Sequence, residues 1–132
     1  MHDPIVIVAG VIRDAAGRVL LVRKRGTAVF MQPGGKPEEG ESDLAALARG
    51  LDEELGCRLV EASVRYLGDV EADAAFERGR RVRASVYDVA VAGDIRPGGE
   101  IAEMRWVDPR ASDVPLAALT GEEIFALPIF AK

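Results

Sequence analysis

The chain has a single cysteine, Cys57, which excludes an internal disulfide and a cysteine-based metal cluster. It also lacks any excess of positive charge: 17 Lys and Arg stand against 22 Asp and Glu, a formal net charge of −5. Nucleic acids and anionic membrane surfaces are bound through clustered basic residues, so neither is expected as a general partner. Long apolar runs are missing as well. The run Ile5 to Ile12 follows Pro4 and ends at Arg13; it is too short to cross a bilayer and has no basic leader, so it is expected to be a buried strand of a cytoplasmic protein. No internal repeat or low-complexity tract is present. What remains is an ordinary soluble composition, 48% hydrophobic and 30% charged over 132 residues, long enough for one domain, 1–132, with a full core.

Taken in order, Ile5 to Ile12 reads as a strand covered on both faces. The turn signal Asp14-Ala-Ala-Gly17 and the run Val19 to Val22 then predict a hairpin. Arg23, Lys24 and Arg25 close it, either as solvated strand-end charges or as contacts for a phosphate, with Arg23 the candidate substrate contact. Leu59 to Val70 and Val82 to Ala92 read as two further strands. The polar segment between them holds Phe76, able to stack on a base, and Arg78, Arg80, Arg81 and Arg83, of which Arg81 is the candidate phosphate contact. A solvated hairpin tip is the alternative for this segment. Glu100 to Val107 reads as a closing strand with Trp106 in the core. Thr120-Gly-Glu-Glu123 has the spacing of a capping box for a short helix stopped by Pro128.

The chain is organised around Gly34 to Cys57, GGKPEEGESDLAALARGLDEELGC. Pro33 stiffens the approach, and the paired glycines permit backbone angles that other residues avoid. Ser42 is the expected N-cap and Gly56 the expected terminator of an amphipathic helix. At about 100° per residue, Leu44, Leu47, Ala48, Leu51 and Leu55 gather into one apolar stripe. Glu53 and Glu54 then share another face, with Gly50 between them on the wheel, whereas Asp52 points away. Two acids on one turn repel each other unless a cation lies between them. They form either a solvated acidic face or a set of hard oxygen ligands suited to Mg²⁺ or Mn²⁺. Lys36, in the glycine loop, is a further candidate substrate contact.

Gly35, Glu41, Arg49, Glu53, Glu54 and Gly56 fall at the spacings of the Nudix box, G-x5-E-x7-R-E-U-x-E-E-x-G-U with U aliphatic, and Leu51 fills the first aliphatic place. The stretch therefore resembles a Nudix (MutT-like) hydrolase. It departs at Gly50, where the family has Glu, and at Cys57. The resemblance implies an α/β fold, a mixed β-sheet sandwiched between α-helices. It also implies metal-dependent hydrolysis of a small nucleotide or another nucleoside diphosphate derivative. A homodimer is compatible with the sequence, which does not fix the oligomeric state. The carry-over assigns metal to the Gly34 carbonyl, Glu53 and Glu54. It makes Gly35, Glu41, Arg49 and Gly56 structural, with Arg49 paired to a box glutamate such as Glu41. The Glu-x-x-x-x-x-Trp-Val segment resembles the family's downstream region, which adds Glu100 and Glu103 to Glu53 and Glu54 as candidate catalytic acids or bases. Gly50 leaves two expectations: a hydrolase whose base comes from Glu53, Glu100 or Glu103, or a weakened nucleotide-binding module. Neither Gln32, Phe76 nor the arginine cluster selects a substrate at this level.

Overall fold

The computed structural model describes residues 3–131. Strand β1 (Ile5–Val11) is the centre of a mixed sheet, with partners on both its edges and, from Val8 to Val11, both its faces buried. It runs parallel to β6 (Arg81–Asp88), from Ile5 opposite Val82 to Val11 opposite Asp88. On its other edge the two-residue β3 (Gly34–Gly35) pairs antiparallel, Val8 with Gly35 and Ala9 with Gly34. β5 (Arg65–Asp73) completes the order β3-β1-β6-β5. β2 (Val19–Lys24) forms a separate antiparallel ladder with β8 (Ile101–Val107).

The expected hairpin therefore exists only at its tip. Asp14 N–H donates to the Arg18 carbonyl at 2.9 Å and Leu20 N–H to the Ile12 carbonyl at 2.9 Å. Beyond that point β1 and β2 separate, since β1 has no free edge for β2. Two other expected strands are also divided. The first becomes β4 (Arg58–Leu59), a 3₁₀ turn at Glu61–Ser63, and β5. The second becomes β6 and β7 (Val91–Ala92), and β7 pairs with β4. Ser63 marks the break: its hydroxyl donates to the Val60 carbonyl at 2.6 Å and accepts from Ala90 N–H at 2.8 Å.

Helix α1 (Asp43–Leu55) starts at Ser42, whose side chain accepts from Ala45 N–H, and stops at Gly56 with φ 66°, the left-handed turn glycine adopts without strain. Its buried residues are Ala46, Leu47, Gly50, Leu51 and Leu55. Leu44 and Ala48 are only half-buried. The buried face is rotated from the leucine stripe toward the small residues because a glycine backbone packs there.

Period-two alternation sorts the strands between two cores. Val8, Leu20 and Val22 face α1 with Leu47, Leu51, Leu55 and Cys57. Ala9, Val11, Val19 and Leu21 face the opposite way, onto a π-helical segment (Leu119–Ile124) with Phe30, Ala84, Val86 and Val107. This is the expected mixed sheet between helices. The capping box is not used, however. Thr120 lies inside the π segment, whose N-cap is Ala118 without a side-chain bond, and the Thr120 hydroxyl donates instead to Gln32 Oε1 at 2.6 Å. Among the described residues no helix is long and apolar enough to cross a membrane.

Candidate active site

Three glycines seat the loop. Pro33 accepts from Gly10 N–H at 2.9 Å, which draws Gly34 and Gly35 against β1. A Cβ on Gly34 would overlap the Val8 carbonyl, and one on Gly35 would lie 2.7 Å from the Ala46 carbonyl oxygen of α1. A Cβ on Gly50 would overlap the Gly34 carbonyl. The position where a carboxylate is expected is thus filled by loop backbone, and the helix and loop meet main chain to main chain.

Arg49 fastens the other side of the loop. Its Nε and Nη2 donate to the two carboxylate oxygens of Glu41 at 3.0 and 2.9 Å, and Nη2 also donates to the Lys36 carbonyl at 2.9 Å. Glu41 in turn accepts from Glu38 N–H at 2.9 Å. Hydrogen bonds from the Arg49 guanidinium, joined by that from Glu38 N–H, hold the Glu41 carboxyl down at about 2. The same pairing raises Arg49 further.

Glu54, one turn on, is in the opposite condition. Burial pushes its carboxyl up to about 7, and the negative charges of Glu53 and Glu100 add to the rise. A hydrogen bond from Gly34 N–H at 3.2 Å and the charge of Lys24 offset this only in part. Glu53 is exposed and reaches Arg49 Nη1 at 3.4 Å. Glu100 approaches from the loop before β8, which is tied to the end of α1 by Gly98 N–H, donating to the Glu54 carbonyl at 2.9 Å, and to the end of β2 by Arg25 N–H, donating to the Glu100 carbonyl at 2.8 Å. Glu103 lies elsewhere, on β8 opposite Arg23, held by Arg23 Nε at 3.2 Å and Arg105 Nε at 3.0 Å. Those two partners, Arg105 first, lower its carboxyl. Among the described residues no three His, Cys, Asp or Glu side chains converge closely enough to hold an ion by themselves.

Glu54 opens onto a cavity of about 580 Å³ between β1, β3 and the β5–β6 tip. Lys36 and Phe76 line it, Phe76 being 48% exposed at the rim. Arg23 and Arg81 do not. Arg23 is spent on Glu103 and on the Thr27 carbonyl at 2.8 Å, and Arg81 on Glu71 at 3.2 Å and Asp73 at 3.0 Å. Their sequence neighbours Lys24 and Arg80 line the cavity instead, together with Gln32 and Thr120. Strand parity was the available signal for Lys24, which follows Leu20 and Val22 on the α1 side. Nothing in the sequence marked Thr120 as more than a cap.

The NUDIX domain model matches residues 3–127. Among solved structures, a MutT NUDIX hydrolase from Burkholderia pseudomallei superposes with a TM-score of 0.77 at 26% identity, covering 90% of this chain and 94% of that one. The MutT protein of Methanosarcina mazei Go1 gives 0.67 at 28% identity, with 83% and 81% covered. The E. coli dihydroneopterin triphosphate pyrophosphohydrolase gives 0.73 over 99% of both chains, and at 21% identity it speaks for the fold alone. No curated protein matches the chain. With the box spacing, the Arg49–Glu41 clamp and a family match over nearly its whole length, the chain belongs to the Nudix family.

Proposed function

We propose that the protein is a divalent-metal-dependent pyrophosphohydrolase that cleaves a nucleoside diphosphate linked to another moiety, the site being the corner where Glu54 meets the glycine loop. The observation that carries this reading is Glu54 itself. A carboxyl held in a half-buried position beside two other acids has a raised proton affinity that a cation would relieve. Carboxylates of Glu53 and Glu54 with the Gly34 carbonyl make a hard oxygen set that suits Mg²⁺ or Mn²⁺. An ion bound there supplies charge neutralisation and Lewis acidity to the pyrophosphate oxygens. Lys24 and Lys36 bring positive charge to the same cavity and orient the phosphates. Glu100, whose negative charge is felt at Glu54, is the candidate to take the proton of the attacking water, and Glu103, neutralised by two guanidinium groups, is the weaker base. Arg49 positions the loop without reaching the cavity lining.

A second reading has its own support. The Gly34 backbone fills the place of the acid expected at position 50, which favours a module that binds nucleotide and metal but turns over slowly. The two readings are separated by incubating the protein with Mg²⁺ or Mn²⁺ and nucleoside triphosphates, ADP-ribose, dinucleoside polyphosphates and NADH, following phosphate or monophosphate release. Release that depends on metal and is lost in Glu54→Gln supports the hydrolase. Metal-dependent binding without release of any product supports the module.

A further inference from the structure

Every residue from Pro4 to Ala9 lines the cavity. A pocket on one face of a sheet meets only alternate residues of a strand, so this one lies against the edge of β1, where β3 covers no more than Val8 and Ala9. The lining from the two layers agrees. Met31 packs with the core beneath α1, Leu119 belongs to the core on the opposite face, and both reach the cavity.

The direction of the main chain on that edge follows from its neighbours. Gly10 N–H donates to the Pro33 carbonyl at 2.9 Å, the Val8 carbonyl faces Gly34, and the Val11 carbonyl accepts from Val89 N–H at 3.0 Å on the β6 side. Even-numbered residues of β1 therefore turn N–H and C=O toward β3, and odd-numbered ones toward β6. The ladder with β3 ends at Val8, and Val6 is next on the same edge. Val6 is 41% exposed, and no hydrogen bond to its N–H or C=O is formed within the described residues. The two groups stand side by side, a donor beside an acceptor, and no side-chain rotation can exchange them. Strand main chain is paired as a rule, by water or a ligand where the protein supplies no partner. A flat ring that continues the plane of the sheet from Val6 lies between the uncharged side chains of Met31 and Leu119, with Lys24, Lys36 and Glu54 on other parts of the wall for the phosphates and metal.

We propose that the main chain of Val6 reads the base of the bound nucleotide, its N–H donating to a ring acceptor and its C=O accepting from the adjacent N–H of the base. The class recognised is a base with an acceptor beside a donor on its pairing edge. This pairing rests on the nucleotide reading given above and adds the edge of the base that is read.

The test is binding of α,β-imido triphosphate analogues with Mg²⁺, so that the readout does not need turnover. Adenosine is compared with 1-deazaadenosine, which lacks the ring acceptor, and with purine riboside, which lacks the amino donor; both keep the shape of the ring. Uridine against N3-methyluridine repeats the contrast. The parent protein should bind each altered base on the order of 10-fold more weakly, as expected where a polar group of the site is left unpaired. Placing the α-hydroxy analogue of valine at position 6 turns the amide into an ester and removes the N–H alone. The 1-deazaadenosine penalty should then disappear while the purine riboside penalty stays. Val6→Pro removes the same N–H at an edge position, where proline is tolerated, and should give the same pattern. A general packing defect would weaken all analogues alike and leave the ratios intact. A parent without preference, or an ester protein that keeps the 1-deazaadenosine penalty, overturns the pairing and leaves the hydrolase reading standing. Failure of the adenosine and uridine analogues alike to bind overturns both.

Discussion

Glu41 and Glu54 belong to one motif and one loop–helix junction, yet their carboxyls sit on opposite sides of the ordinary range. Glu41 is held at about 2 by Arg49, and Glu54 is raised to about 7 by burial. The first has its charge answered inside the protein and serves as a fastening. The second has its charge answered only by one backbone N–H and a nearby lysine. The contrast separates a carboxylate satisfied within the fold from one that is not, and it can be tested by disturbing each side in turn.

The largest expected effect is on catalysis. Glu54→Gln should cut metal-dependent hydrolysis by roughly 10² to 10⁴-fold, the scale of losing a metal ligand or proton-transfer group. In metal-free buffer at pH 8 the same protein should melt higher than the parent, because a buried charge has been removed. Glu41→Gln should instead melt lower at that pH, and equal shifts in the two variants would contradict the comparison.

Next comes the glycine seat. Gly50→Ala gains about 1 kcal/mol of helix propensity but forces a methyl into the Gly34 carbonyl, an overpacking that costs about 1 to 3 kcal/mol or more. Urea unfolding should therefore show a net loss, and Gly50→Glu a larger one with no gain in rate. A faster Gly50→Glu enzyme would mean that loop and helix separate more easily than their contact implies.

Arg49→Lys comes third. It keeps the charge but loses the two-pronged grip on Glu41 and the bond to the Lys36 carbonyl. With the loop loosened, kcat/KM should fall by about tenfold, chiefly through positioning, as steady-state kinetics on the preferred substrate would show.

The smallest effect is the pH dependence of metal-free stability. Between pH 4.5 and about 7 folded Glu54 holds more proton than the unfolded chain, so its contribution weakens as pH rises through that window and levels off above it. Glu41 contributes above 4.5 and loses its contribution as pH falls toward about 2. Thermal melts in matched buffers should show the first slope vanish in Glu54→Gln and persist in Glu41→Gln.

Much of the framework was legible in the sequence. Ser42 and Gly56 bound the helix because capping is local chemistry, and fixed spacing put Arg49 within reach of Glu41. The face of α1 that meets the loop was not legible. Leucines announce a stripe, whereas Ala46 and Gly50 pack by being small and leave no hydrophobic signature. Arg23 and Arg81 stood out as charges, but whether a charge faces a cavity or a carboxylate on the neighbouring strand is decided by register. Thr120 matched a capping pattern and was claimed by Gln32, a partner far away in the chain. Local rules had no means of weighing that competition.

The parallel pairing of β1 with β6 has a further consequence, for the order of assembly. The glycine loop rests on one edge of β1, while the other edge stays open until Val82 and its successors have been made. Contacts between such distant segments form late and slowly. A nascent chain on the ribosome would thus carry the whole Nudix box before it could shape the cavity, which should close only after the β5–β6 hairpin has emerged from the exit tunnel.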